Sequence, residues 1–131
     1  MVSDAEKNGV SWAQLNDERV TVVGRILRKS RIDELPQLWN ILNGTMTFVG
    51  PRPERPQYVE ILSDKLSCYE TRHVVKPGLT GWAQINAPYA ASVDDSALKL
   101  SYDLYYVANG TLSLDIQIAL RTIGSVFSGA R

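Results

Sequence analysis

One proline sets where a helix can begin. Leu35, Leu38, Trp39 and Leu42 recur at i, i+3, i+4 and i+7, a single apolar stripe. Pro36 lies inside that pattern. Proline is tolerated only in the first helical turn, so the helix must start near Ile32 or Asp33. Asn43-Gly44 is its expected stop. Asp33 and Glu34 then sit at the positive end of the helix dipole, which favours their ionised forms. Arg28, Lys29 and Arg31 stand just ahead of them. An ionised pair beside cations suits a metal ion, or attack on a phosphate. A capped helix start with solvated neighbours also explains the pattern, and on spacing alone it is the better supported of the two.

The chain of 131 residues is long enough for one domain with a modest core. The formal net charge is zero, so no global field argues for nucleic acid or acidic lipid. Charge is nevertheless uneven. Arg25, Arg28, Lys29 and Arg31 form one basic cluster, and Arg52 and Arg55 a second. The single cysteine, Cys68, excludes an internal disulfide and fits a reducing compartment. With His73 as the only histidine, a zinc ligand set is excluded, and Cys68 reads as an inert thiol. No stretch approaches the roughly 20 apolar residues of a membrane span. The opening Met-Val-Ser-Asp-Ala-Glu-Lys is too polar for a signal peptide. Taken as it stands, the chain reads as soluble.

Elements follow in order. Asp4–Lys7 reads as a helical turn, with Trp12 as the anchor of the first 19 residues. Thr21 is the expected N-cap of a short helix with Val22, Val23, Ile26 and Leu27 on its apolar face. Thr45–Val49 alternates and reads as a strand. In Gly50-Pro51-Arg52-Pro53, two prolines stiffen the backbone around Arg52. A stiff loop lowers the entropy cost of holding an arginine against an anion, and equally describes a rigid turn with a solvated side chain. Glu54–Leu62 reads as helix, with a further short piece running to His73. Parts of 45–49, 73–76 and 81–86 are expected to pair as a small antiparallel sheet. Ser92-Val93-Asp94-Asp95 resembles a capping box, opening a helix striped by Val93, Ala97, Leu100, Leu104 and Val107. Ser113 is the expected cap of a last helix, with Ile116, Leu120, Ile123 and Phe127 as its core face. The fold expected is α+β: one mainly helical domain over residues 1–131, with a small antiparallel β element.

Several stretches acquire meaning together. Arg28-Lys29-Ser30-Arg31-Ile32-Asp33-Glu34-Leu35-Pro36-Gln37-Leu38-Trp39-Asn40 is followed by Gly50-Pro51-Arg52-Pro53 and Arg72-His73. Lys76-Pro77-Gly78, Thr80-Gly81-Trp82-Ala83-Gln84, Lys99–Tyr106 and Leu114-Asp115 complete the set. In this order and spacing, the chain resembles the catalytic domain of the bacterial sugar transferases, the monotopic phosphoglycosyl transferases, over nearly its whole length. The resemblance implies transfer of a sugar 1-phosphate from a nucleotide diphosphate sugar, UDP-linked, to polyprenyl (undecaprenyl) phosphate, with release of a nucleoside monophosphate. That step opens exopolysaccharide and other glycan pathways.

By the same resemblance Asp33 is the nucleophile of a covalent phosphosugar intermediate. Glu34 helps to bind magnesium or to activate the lipid phosphate, so Asp33 and Glu34 are also the expected metal ligands. Arg28 and Arg52 match positions that hold phosphate, and Arg72 and Lys76 supply further positive charge. The residue chemistry agrees, because carboxylate attack on a phosphoryl centre brings negative groups together and needs cations to neutralise them. The family carries a membrane-inserting hairpin ahead of the position of Met1. The resemblance therefore implies an N-terminally truncated domain, some uncovered apolar helix faces, and a parent protein at the cytoplasmic face of the bacterial inner membrane. A different class of reading is a catalytically weak fragment that serves as a membrane-surface or partner-binding module. Nucleic-acid binding through the two basic clusters is remote at zero net charge.

Overall fold

The proline-limited helix begins where the sequence requires. The computed structural model of the chain describes residues 21–29, 32–87 and 92–127. Helix α1 spans Val22–Lys29, and Thr21 Oγ1 caps it by accepting from the Gly24 amide at 3.1 Å. A 3₁₀ turn over Ile32–Glu34 leads into α2, Leu35–Leu42, with Pro36 in its first turn. Gly44 then adopts a φ of +82°, the left-handed conformation that glycine takes without strain. The Asn40 carbonyl accepts from both the Thr45 and Met46 amides at 3.0 Å. The chain is thus turned directly into β1, Thr47–Val49.

Strand β1 pairs with β2, Gly78–Thr80, in register Thr47↔Gly78 and Val49↔Thr80. The pairing is parallel, which corrects the expected antiparallel element. The reason lies in the connection. Parallel neighbours need a long crossover, and residues 50–77 supply one: helix α3 over Pro56–Lys65 and a 3₁₀ helix over Tyr69–Val74. Residues 73–76 belong to that crossover rather than to a strand. Helix α3 starts two residues later than expected, because Pro56 occupies its first turn and holds Arg55 extended.

The run 81–86 is a second correction. Gly81 is extended, and Trp82–Asn86 then forms the short helix α4, closed by the Ala87 amide on the Ala83 carbonyl at 2.8 Å. The glycines do allow a close approach, as expected. A Cβ at Gly78 would lie 2.1 Å from the Gly50 nitrogen, and one at Gly81 would lie 2.2 Å from the Gly50 carbonyl oxygen. Past that crossing a helical turn buries Ala83 and stacks Trp82 on Tyr105, ring centroids 5.8 Å apart.

Helix α5, Val93–Asn109, opens on the expected box: Ser92 Oγ accepts from the Asp95 amide at 3.1 Å and donates to Asp95 Oδ2 at 2.7 Å. Its deepest face is Ser96, Leu100, Asp103 and Tyr106, displaced around the helix from the expected apolar stripe. Leu100 joins Tyr58, Leu62 and Tyr69 in the buried core. Helix α6 spans Leu112–Phe127. Thr111, not Ser113, caps it by accepting from the Leu114 amide at 3.2 Å, since Leu112 is already helical.

The apolar stripe of α6 is not core. Ile118 is 0% exposed, while Ile116, Leu120 and Ile123 face outward; the side chain of Phe127 lies outside the described part of the structure. Among the described residues, helix α6 packs one of its sides against β1, β2 and α4, and its Asp115 accepts from Tyr106 of α5. The stripe of α2 is equally open, with Trp39 69% and Leu42 80% exposed. Uncovered apolar faces were an expectation of the resemblance, and they are present. The readings of residues 1–19 and of 88–91 lie outside the described residues.

The glycine crossing makes a stability prediction. Gly78→Ala drives a methyl into backbone, with no flexible side chain to yield, and should cost more than about 3 kcal/mol. Gly124→Ala meets nothing within 4 Å inside α6 and should gain about 0.5–1 kcal/mol. Chemical denaturation of the two variants beside the parent chain reads both signs.

Candidate functional site

The two glycine contacts fix the loop that follows β1. Gly50 donates to the Thr80 carbonyl at 2.8 Å, and Gly78 donates to the Pro51 carbonyl at 3.0 Å. Residues 50–53 are thereby clamped onto the chain around β2. Arg52 leaves this loop and divides its guanidinium between two partners. Nη1 donates to the Leu79 carbonyl at 2.7 Å, and Nη2 donates to Glu34 Oε1 at 3.2 Å. A guanidinium has five N–H donors, so this geometry leaves others available to an anion.

Glu34 closes the 3₁₀ turn at the N-terminal end of α2, where free backbone amides concentrate positive potential. The structure therefore joins two expected site residues, Glu34 and Arg52, that are 18 positions apart in sequence. Asp33 occupies the same 3₁₀ turn, one residue before Glu34. Arg28 lies in the last turn of α1. Their side chains lie outside the described part of the structure.

Arg72 is 2% exposed and belongs to the core. Its Nε donates to Asp103 Oδ2 at 3.0 Å, and its Nη2 lies 2.8 Å from the same oxygen. Nη1 donates to the Tyr69 hydroxyl at 3.0 Å, and the guanidinium carbon stands 5.3 Å from the centre of that ring. Nη2 also donates to the Arg52 carbonyl at 2.7 Å. Arg72 thus meets the loop through its backbone, from beneath. Burial pushes the Asp103 carboxyl above its usual range, with the Arg72 charge opposing it, and burial likewise raises the Tyr69 phenol.

Lys76 is exposed and lines an open groove of about 510 Å³ with Phe48, Val49, Tyr106 and Asp115. Glu34 and Arg52 are not part of that lining. In the groove the Tyr106 hydroxyl donates to Asp115 Oδ1 at 2.7 Å. Burial and this carboxylate hold the phenol protonated well above the usual tyrosine range.

The sequence reading missed Asp103. It carried a signal: a carboxylate between Leu100 and Leu104, on the inner side of an otherwise apolar and aromatic helix. A buried carboxylate requires a cation, and Arg72 supplies it. For a metal ion, no group of three or more His, Cys, Asp or Glu side chains gathers among the described residues. Of the two expected metal ligands, only the Glu34 side chain is described, and its Oε1 accepts from Arg52.

Comparison with known proteins identifies the family. A family model described as "Bacterial sugar transferase" matches residues 1–129. An Aeromonas hydrophila UDP-N-acetylgalactosamine-undecaprenyl-phosphate N-acetylgalactosaminephosphotransferase is 44% identical, over 98% of this chain and 30% of its own length. A UDP-glucose:undecaprenyl-phosphate glucose-1-phosphate transferase of Xanthomonas campestris pv. campestris is 41% identical, over 92% of this chain and 25% of its own. A Caulobacter vibrioides protein of the same description is 40% identical, over 91% of this chain and 45% of its own. The chain spans less than half the length of each of these relatives.

The buried pair generates a pH-dependent prediction. Arg72→Met leaves Asp103 charged and uncompensated, and should cost about 3–5 kcal/mol at pH 7. The folded-state pKa of Asp103 is already raised, so its stability contribution is fullest below the unfolded value and is lost as pH rises through the folded one. Without Arg72 that pKa climbs further. The deficit of Arg72→Met should therefore shrink as pH falls toward the carboxylate range. Urea titrations of parent and variant across that range measure the difference.

Proposed function

The chain belongs to the bacterial sugar transferase family, and from that premise we propose that it moves a sugar 1-phosphate from a UDP-sugar to undecaprenyl phosphate. The observation that carries the reading is the Arg52–Glu34 contact, which brings a cation to the carboxylate beside Asp33 at a helix start. The relatives' names supply the substrate class, since they share undecaprenyl phosphate while differing in sugar.

The mechanism is a double displacement. A carboxylate oxygen of Asp33 attacks the phosphorus that bears the sugar. The bond from that phosphorus to the oxygen shared with the nucleotide phosphate breaks, and UMP departs. An oxygen of undecaprenyl phosphate then attacks the same phosphorus and releases Asp33. Two displacements replace one difficult transfer, so ping-pong kinetics follow. Arg52 is already poised by the Leu79 carbonyl and neutralises charge that develops on the phosphoryl oxygens. Arg28 and Lys76 offer further positive charge to the diphosphate. Mg²⁺, held by Asp33 and Glu34, would reduce the repulsion between carboxylate and diphosphate. The product is a lipid-linked sugar diphosphate on which exopolysaccharide or another glycan can grow.

The uncovered apolar faces of α1, α2 and α6 fit work at a lipid surface, at the cytoplasmic side of the bacterial inner membrane. Among the described residues no helix is long and apolar enough to cross a membrane. The same faces would also serve a binding module without turnover. UMP release separates the two readings. In the natural protein that contains this chain, with magnesium and undecaprenyl phosphate in detergent, UDP-sugars should yield UMP. Asp33→Asn should lower the rate by at least about 1000-fold, the scale of losing a catalytic nucleophile. Unchanged release by Asp33→Asn would overturn the mechanism, and no release from the parent with any UDP-sugar would favour the binding module.

A further inference from the structure

The geometry points to Arg72 and Asp103 as positioning residues that hold the Arg52 loop against Glu34, with Arg72 acting through the Arg52 backbone rather than on phosphate. The inference rests on the proposed transfer reaction for its kinetic readout.

Three observations converge on it. First, Arg72 has little access to a ligand. It is 2% exposed, and Nε, Nη1 and Nη2 each have a partner in the protein. Second, one of those partners is the Arg52 carbonyl, at 2.7 Å. Arg52 is therefore gripped from both ends: its carbonyl by Arg72, its guanidinium by Leu79 O and Glu34. Third, α5 holds the loop at a neighbouring point. Lys99, one turn before Asp103, forms an ion pair with Glu54, two residues after Arg52. A single helix face thus anchors both sides of Pro53.

The other oxygen of the acid, Asp103 Oδ1, is buried with no hydrogen-bond partner among the described residues, so Arg72 is the group that orients the carboxylate.

Positioning and direct binding predict opposite results when the acid is neutralised. If the charge of Arg72 acted on the substrate, removing the nearby negative charge would strengthen it, and Asp103→Asn would be neutral or improved. Under the positioning account Asp103→Asn frees Arg72, loosens Arg52, and lowers turnover. A displacement of about 1 Å at a reacting centre costs on the order of 100-fold in rate. UMP release is measured in the natural protein that contains this chain, per folded molecule, for Asp103→Asn, Arg72→Lys and Lys99→Met. Ile118→Val, on the buried side of α6, controls for simple loss of stability and should keep the parent kcat.

The expected result is a kcat lowered roughly 10- to 100-fold in Asp103→Asn, with a KM for UDP-sugar within about threefold of the parent. Lys99→Met should show a smaller fall of the same kind. It keeps the test open if the two buried variants do not fold, because the Lys99–Glu54 pair is only partly buried. An unchanged kcat in the folded variants overturns the inference, as does a rise in KM alone. Absence of UMP release from the parent itself would instead count against the transfer reaction.

Discussion

Everything near the Arg52 loop leans on one buried ion pair. Arg72 and Asp103 meet at 2.8 Å with both side chains almost wholly removed from water. Such a pair is not an economical source of stability, since desolvating two charges costs several kcal/mol that their attraction only partly returns. What it provides is a fixed orientation. The guanidinium is planar, and its fork aims one edge at Asp103 and another at the Arg52 carbonyl. An apolar replacement would fill the space but could not reach out to hold a backbone oxygen. The crossing of Gly50 over Gly78 performs the complementary task, bringing two backbones too close for any Cβ. Between them, these contacts tie a loop of four residues to the chain on both sides.

That rigidity explains how a domain with so little sheet can hold a site. Two strands of three residues each cannot organise a catalytic face by themselves. Here the parallel pairing serves to bring the loop after β1 next to the chain around β2. The crossover places α3 and the 3₁₀ helix carrying Arg72 beneath it. Glu34 reaches the same place from the start of α2. The apolar sides of α2 and α6 remain turned away from this arrangement. Packing against the sheet and α4 uses the side of α6 that carries Ile118 and Thr122, the latter bonded to Thr80 at 2.8 Å. The larger apolar stripe is left outward.

Much of this was legible in the chain, and the rest was not for identifiable reasons. Local signals worked where one residue dictates the backbone: Pro36 at the first turn of α2, Gly44 after it, Thr21 and Ser92 as caps. Pro56 is a signal of the same kind, and it sets the start of α3. Periodicity failed for Trp82–Asn86, because a run of five residues bounded by glycine suits a strand and a helical turn equally. The direction of the sheet depends on the crossover, which no local pattern records. The α6 stripe was read as core, though period alone cannot say whether anything stands opposite. Glu34 and Arg52 could be paired only by resemblance, since the contact spans a turn, a helix and a strand. The charge of Arg72 suggests a phosphate ligand, whereas its side chain is buried under the loop. Asp103 was visible as an acid among apolar neighbours, and asking where its counter-charge lay would have led to Arg72.

The central claim is that Arg72 works through Arg52, and a double-mutant cycle on turnover tests it most directly. Initial rates of UMP release at saturating UDP-sugar are compared for the parent, Arg52→Ala, Arg72→Lys and the double variant, each corrected for folded protein. The account predicts strong non-additivity: with Arg52 already truncated, Arg72→Lys lowers kcat by less than about twofold further, although alone it lowers it about tenfold or more. Additive losses, the two variants multiplying in full, would show that Arg72 contributes to the reaction independently of Arg52, and would contradict it.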